Sequence, residues 1–498
     1  MKKLILLLVI LTVFSCKNSN DRIETVLPIE NKVWLDDFET LKKEMTLGYA
    51  NLKYATEKEN IDLIKLNEIT LSKLKEAQTV EEAQQVIKKF LKTFNDGHLR
   101  ASKLKVTNKA DTIVEIDTTN IELDYLKNTD SGAIALKKMG YENKKYKNRI
   151  KYDSVPGYSS LSSQQNPFPT AIIKRNNETI GIIRVGFLGH WRYWNTALEV
   201  WEFYKKTFEG KCDGDCQWSF QKEVEKELTN KIIDGINELK SKKISKLLVD
   251  VSSNPGGSEW CNAVAELFTA KHLKGPESFF VKHKHWKNTL ENQLKNIEED
   301  IENPKIKKEL NLKLIRFKNL VQELILNCES NCSVEEVWNE QNMNCLELIS
   351  HPYAYSLPFE IFEDEQFEEL ESKYLLSNYR FLTYKKGVYE GSLYIIQDRY
   401  SGSATEEFSS LLQANDAAVI VGENSYGAGC GYTNGGIKLE LKNIGLSVSM
   451  SDCVRLRKDG KNEIYGINPD IEVNWDENEN MYSKGLKIIT NIEDYNQE

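Results

Sequence analysis

Between residues 33 and 95, apolar side chains recur at steps of three and four, in WLDDFETLKKEMTLGYANL, IDLIKLNEITLSKLKEA and TVEEAQQVIKKFLKTF. That period marks one face of a helix, so three amphipathic helices are expected. Thr79 followed by Glu82 reads as the capping box that opens the last of them. Helices this short cannot bury their stripes alone, and a bundle packed against a larger body follows (33–105). The third helix runs out into NDGHLR.

The pattern then changes. Residues 106–175 mix short alternating runs such as DTIVEIDTTNIELDYL with the loop-like DSVPGYSSLSSQQNPFP, and predict an irregular, β-rich connector. TIGIIRVGFL (179–188) opens a region where strands and helices alternate. KLLVDVS contains Leu247, Leu248 and Val249 in unbroken succession, the mark of a strand covered on both faces. The turn SNPGG follows. Strands resume at GSLYIIQD, AAVIVGE, GGIKLEL and GLSVSMS. Strand–helix–strand alternation predicts an α/β core, in two parts spanning 176–281 and 386–485. Between them, 282–385 is charged and rich in helical patterns such as LNLKLIRFKNLVQELIL, and reads as an insertion. Residues 486–498 are expected to form a tail. No internal repeat is evident.

A length of 498 residues suits about three domains. The net charge of −9, without a basic block carrying interleaved aromatics, argues against a nucleic-acid partner. The N-terminus changes the picture more. MKK followed by LILLLVILTVF is a basic region and an apolar run too short to span a bilayer, the arrangement of an export signal over 1–15. It ends in VFSC, which resembles a bacterial lipobox, and makes Cys16 the expected site of lipidation. A polar tether (16–32) follows, and the mature protein is expected lipid-anchored in the cell envelope of a bacterium. Eight further cysteines include the close pairs Cys212/Cys216 and Cys328/Cys332. In an oxidising compartment these favour structural disulfides or buried thiols, with connectivity left open. Neither pair has the histidines of a convincing metal site.

The candidate chemistry centres on RYSGSATEEFSSLLQAND (399–416). Ala404, Phe408, Leu411 and Leu412 share a helical face, and Ser403 with Glu406 forms a capping box. A cap and a nucleophile both suit this position, because a helix N-terminus favours developing negative charge. NDGHLR, LLVDVSSNPGG, the Ser403 stretch and GINPDIEV occur in an order that resembles the tail-specific, or C-terminal processing, serine peptidase family, which includes the tricorn core. The resemblance implies a crotonase/ClpP-like α/β peptidase core, no cofactor and no metal, a polypeptide substrate, and Ser403 as nucleophile.

That family's processing branch uses a lysine base in the loop after the VVGE-type strand; the matching position here is Ala428, which cannot take a proton. The tricorn-like branch uses a histidine, and DGH places His98 there. An imidazole with a pKa near 6.5 suits the task. By the same resemblance Glu463 orients the imidazole, and the backbone N–H groups of Ala404 and of Gly256 or Gly257 stabilise the oxyanion. One departure stands out: that branch has serine before the histidine, and this chain has Gly97. His190, among aromatics in LGHWRYW, is a candidate for the substrate groove. His283 and His285 suit a solvated face better than a metal site. The sequence therefore predicts an exported serine endopeptidase; the alternative is an inactive peptide- or ligand-binding protein on the same fold. Oligomeric state is not specified.

Overall fold

The computed structural model describes residues 29–104, 121–122, 131–143, 149–162, 166–208, 211–271, 273–275, 277–349, 365–366, 369–372, 386–432, 435–476 and 478–495. The expected export signal, Cys16 and most of the tether lie outside the described residues.

A seven-stranded sheet forms the centre. Its strands are β1 (Tyr158–Ser160), β2 (Thr170–Arg175), β3 (Glu178–Arg184), β4 (Lys246–Asp250), β5 (Ser392–Gln397), β6 (Val419–Gly422) and β7 (Ile471–Glu472). They lie side by side in chain order, antiparallel from β1 to β3 and parallel from β3 to β7. Parallel neighbours need crossovers, and the helices Gly214–Ser241 and Ala404–Ala414 lie on two of them. The unbroken apolar run in β4 behaves as expected, with every residue from Lys246 to Asp250 buried. Leu247 and Val249 face the cluster holding Phe220, Trp260 and Phe408, whereas Leu248 faces the opposite cluster with Ile488, Ile489 and Ile492.

Those last three isoleucines correct one expectation. The segment read as a tail is the end of the helix Met481–Tyr495, whose apolar stripe covers the second face of the sheet. The connector reading is also too broad, since β1 and β2 belong to the main sheet.

The N-terminal helices Ile29–Gly48, Leu63–Glu76 and Val80–Lys92 share a core with a small antiparallel sheet. In that sheet Arg100–Lys103 pairs with Leu446–Met450, which pairs in turn with Ile437–Leu441. The insertion forms a pair of helices, His285–Glu302 and Lys308–Asn327, around Trp286, Leu290, Leu310 and Leu314. Cys430 and Cys453 are buried in the same cluster. Disulfides join Cys212 to Cys216, Cys332 to Cys345 and Cys430 to Cys453, while Cys261 and Cys328 are buried thiols. Of the two close pairs in the sequence, only the first is bonded to itself. No helix among the described residues is long and apolar enough to cross a membrane.

Candidate active site

At the carboxyl ends of the parallel strands the chain turns sharply three times. After β4, Asn254 accepts the Gly256 N–H through Oδ1 (2.9 Å) and donates to the Val185 carbonyl (3.0 Å). Its own carbonyl takes the Gly402 N–H at 3.0 Å. One fully buried side chain thereby fixes the glycine turn against the residue before Ser403. Asp250, paired with Arg184 at 2.9 Å, stabilises the same strand end. Both side chains are engaged in holding the backbone of the two strand ends.

After β5, Ser403 enters the helix Ala404–Ala414 with φ 55° and ψ −121°. A residue with a side chain pays roughly 1–3 kcal/mol for such a backbone, and it persists only where its surroundings hold it. Glu406 supplies part of that hold by accepting the Ser403 N–H at 2.7 Å. The Glu406 N–H goes to the Ser403 carbonyl at 2.8 Å, and Ser403 and Glu406 form the capping box expected from the sequence. Ser403 is thus both the cap of this helix and a lining residue of the cleft.

Gly256 packs directly on this turn: a Cβ there would come within 2.8 Å of the Ala404 nitrogen and of Ser403 Cβ. The Gly256 N–H is used by Asn254, whereas the N–H groups of Ala404 and Gly257 have no hydrogen-bond acceptor among the described residues. Two unused backbone donors therefore lie on the turns that flank the Ser403 hydroxyl.

His98 follows the helix Val80–Lys92 through a turn pinned by Asp96. Asp96 Oδ1 accepts the His98 N–H at 2.8 Å, and Oδ2 accepts from Asn51 at 2.9 Å and Ser451 at 2.8 Å. The ring is buried and its Nδ1 has no hydrogen-bond partner. Burial pulls its pKa below the usual 6.5, opposed by Asp96 and assisted by Arg100 and Arg455, so the imidazole is neutral at neutral pH. Ser403, Ala404, Gly257 and His98 line one cleft of about 890 Å³, together with His190, Ala428, Tyr426, Glu407 and Arg455. Among the described residues no hydrogen bond joins Ser403 to His98. His190 is held there by Tyr141, whose hydroxyl lies 2.9 Å from Nδ1.

Glu463 stands apart. It is fully buried on the turn Glu463–Tyr465, does not line the cleft, and accepts from Arg455 Nε at 2.8 Å through Oε2. Arg455 also donates to Glu407 at 2.6 Å, so one guanidinium bridges two carboxylates beside the site. Glu463 makes no hydrogen bond to His98; its Oε1 has no partner. The bridging role of Arg455 was not legible in sequence, since an arginine in SDCVRLRKDG carries no special spacing.

His283 and His285 require a correction. They are not on a solvated face: His283 is buried and the two Nδ1 atoms are 2.7 Å apart. His285 Nε2 lies 3.0 Å from Asp452.

A serine held in a strained strand-to-helix turn, with unused backbone donors beside it and a neutral buried histidine in the same cleft, is the equipment of a serine hydrolase. Residues 218–473 match the family described as Peptidase family S41, and the chain belongs to that family of serine peptidases. No curated protein sequence shows significant similarity. Among solved structures, mature CPAF complexed with lactacystin is similar over 95% of this chain and 100% of its own, at 13% identity and a TM-score of 0.56. Mature CPAF without that ligand is similar over 92% of this chain and 95% of its own (14% identity, TM-score 0.53). These likenesses show a shared fold. The tricorn protease, at 12% identity and a TM-score of 0.30 over 89% of this chain and 34% of its own, is too distant to place the chain in that branch.

Proposed function

We propose that the protein is an exported, lipid-anchored endopeptidase that cleaves polypeptides through an acyl-enzyme on Ser403. The carrying observation is the Ser403 turn: a helix-cap serine held at φ 55° in the cleft that His98 lines, beside the unused N–H groups of Ala404 and Gly257. Ser403 Oγ attacks the scissile carbonyl while His98 Nε2 takes its proton. The new C–O bond places negative charge on the carbonyl oxygen, which Ala404 and Gly257 stabilise. Collapse expels the amine, protonated by His98. Water then attacks the acyl carbon with His98 again as base, releasing the acid and restoring Ser403. Gly256, whose N–H is used by Asn254, shapes this hole rather than donating to it. Glu463 is proposed to orient His98 from beside the cleft, where its buried carboxylate is held by Arg455. His190 contributes to the wall of the substrate groove. Ala428, buried where the processing branch has lysine, leaves His98 as the base.

Active-site fluorophosphonate labelling tests this reading. Wild type is expected to label at one serine, and Ser403→Ala and His98→Ala to lose labelling by about 10³-fold or more. A well-folded wild type that does not label supports instead a ligand-binding protein on this fold. Labelling retained in His98→Ala assigns the base elsewhere. The three disulfides suit an oxidising compartment and support export. Incorporation of labelled palmitate, lost in Cys16→Ser, is the expected sign of the anchor; incorporation unchanged in that variant rejects it.

A further inference from the structure

The loop after β6 is held in an unusual way. Glu406, one turn into the nucleophile helix, accepts from Ser425 Oγ and the Gly427 N–H through Oε1, both at 2.6 Å. Its Oε2 accepts the Ala428 N–H at 2.9 Å as well as the Ser403 N–H. One buried carboxylate thus fastens the residues on either side of Tyr426 to the turn that carries the nucleophile. The Tyr426 N–H is itself bound by the Ser401 carbonyl at 2.9 Å. The side chain takes no part in this clamp, and 59% of it is exposed, in the cleft that holds Ser403 and His98.

The ring lies against the residues preceding both. A Cβ on Gly97 would come within 2.4 Å of Tyr426 Cε1, and one on Gly402 within 3.5 Å of Cδ1. The departure from the tricorn-like pattern at Gly97 has a physical cause here, because the tyrosine ring occupies the space a serine side chain would need. A large apolar ring exposed on a rigid backbone carries a cost in water and suits a contact surface with little ordering penalty on binding. Its position also has a direction. The unused donors of Ala404 and Gly257 lie on the turn packed by Gly256, whereas the Tyr426 ring makes its closest approach to the loop of the base, at Gly97, with Gly402 on its flank. The base must meet the leaving amine, so the ring faces the leaving-group half of the substrate.

We propose that Tyr426 is a specificity-determining residue: its ring packs against the first side chain on the leaving-group side of the scissile bond and selects aromatic or large apolar residues over acidic ones. The proposal rests on the serine-peptidase reading above.

The test uses two peptides that differ only at that position, phenylalanine in one and aspartate in the other, with the full-length protein. The ratio of their kcat/KM values is read in wild type, Tyr426→Ala and Tyr426→Phe, so that a general loss of activity cancels. Wild type is expected to prefer phenylalanine by about 10-fold or more, Tyr426→Phe to keep that ratio, and Tyr426→Ala to bring it near one. A ratio unchanged in Tyr426→Ala, or a wild-type preference for aspartate, overturns the proposal alone. A folded wild type that neither cleaves nor takes fluorophosphonate overturns the serine reading and this proposal with it.

Discussion

His98 and Glu406 are both buried, and burial favours the neutral form of each, lowering the pKa of the imidazole and raising that of the carboxyl. His98 is held below pKa 6.5, so it remains a competent base where an exposed histidine would already be charged. The acid limb of kcat/KM is therefore expected below pH 6.5. A limb at or above 6.5 in the free enzyme counts against His98 as base. The same shift has a stability sign. The unfolded chain takes the proton first, so this contribution is complete above pH 6.5 and is lost as pH falls through the lowered value. His98 stood out as a candidate because glycine and a helix end surround it in a recognisable order. The burial that tunes it was not legible, since Arg455 and Asp452 reach it from a segment remote in sequence.

At the scale of elements, the helix Ala404–Ala414 and the loop after β6 act as one unit through Glu406. Burial pushes its carboxyl up to about 7, with its four donors and the neighbouring Glu463 acting in opposite senses. A pKa raised from 4.5 means that stability from the protonated form is complete below pH 4.5 and lost as pH rises through 7. Glu406→Gln removes that titration. Urea unfolding of wild type and variant at pH 4.5 and 8 is expected to show a difference in pH dependence of about 3 kcal/mol; equal pH dependence rejects the assignment. The sequence showed the glutamate of a capping box, and the structure keeps it while adding a partner loop twenty residues downstream. Helical stripes were equally readable. That in Met481–Tyr495 was present as Ile488, Ile489 and Ile492, but its meaning depends on the sheet face it covers. By contrast, His283 and His285 look solvated in a charged stretch because their partners, Glu44 for the first and Asp452 for the second, are remote in sequence.

For the whole molecule, the insertion is more than an appendage. Its core includes Phe280, Trp286, Cys430 and Cys453, and the disulfide between the last two closes the chain around the loop that reaches the cleft. Replacing both cysteines by alanine is expected to cost about 3 kcal/mol, from a loop of 23 residues. Chemical denaturation measures it, and no change in midpoint would mean the cross-link adds nothing. The two-part α/β core with a helical interruption was readable from the alternation of periods. Which segments cross between the parts was not, because pairings such as Cys430 with Cys453 follow from the fold rather than from spacing.

Arg100–Lys103, two residues beyond the candidate base, pairs with Leu446–Met450 near the other end of the chain. A ribosome releasing this polypeptide in order makes the histidine early and the serine roughly three hundred residues later, and the strand that seats the histidine later still. A truncated or half-translocated chain therefore holds a base without its nucleophile, or both without the seat that brings them together. With Ser403 and His98 in the proposed roles, the site is complete only once both ends of the chain have been made.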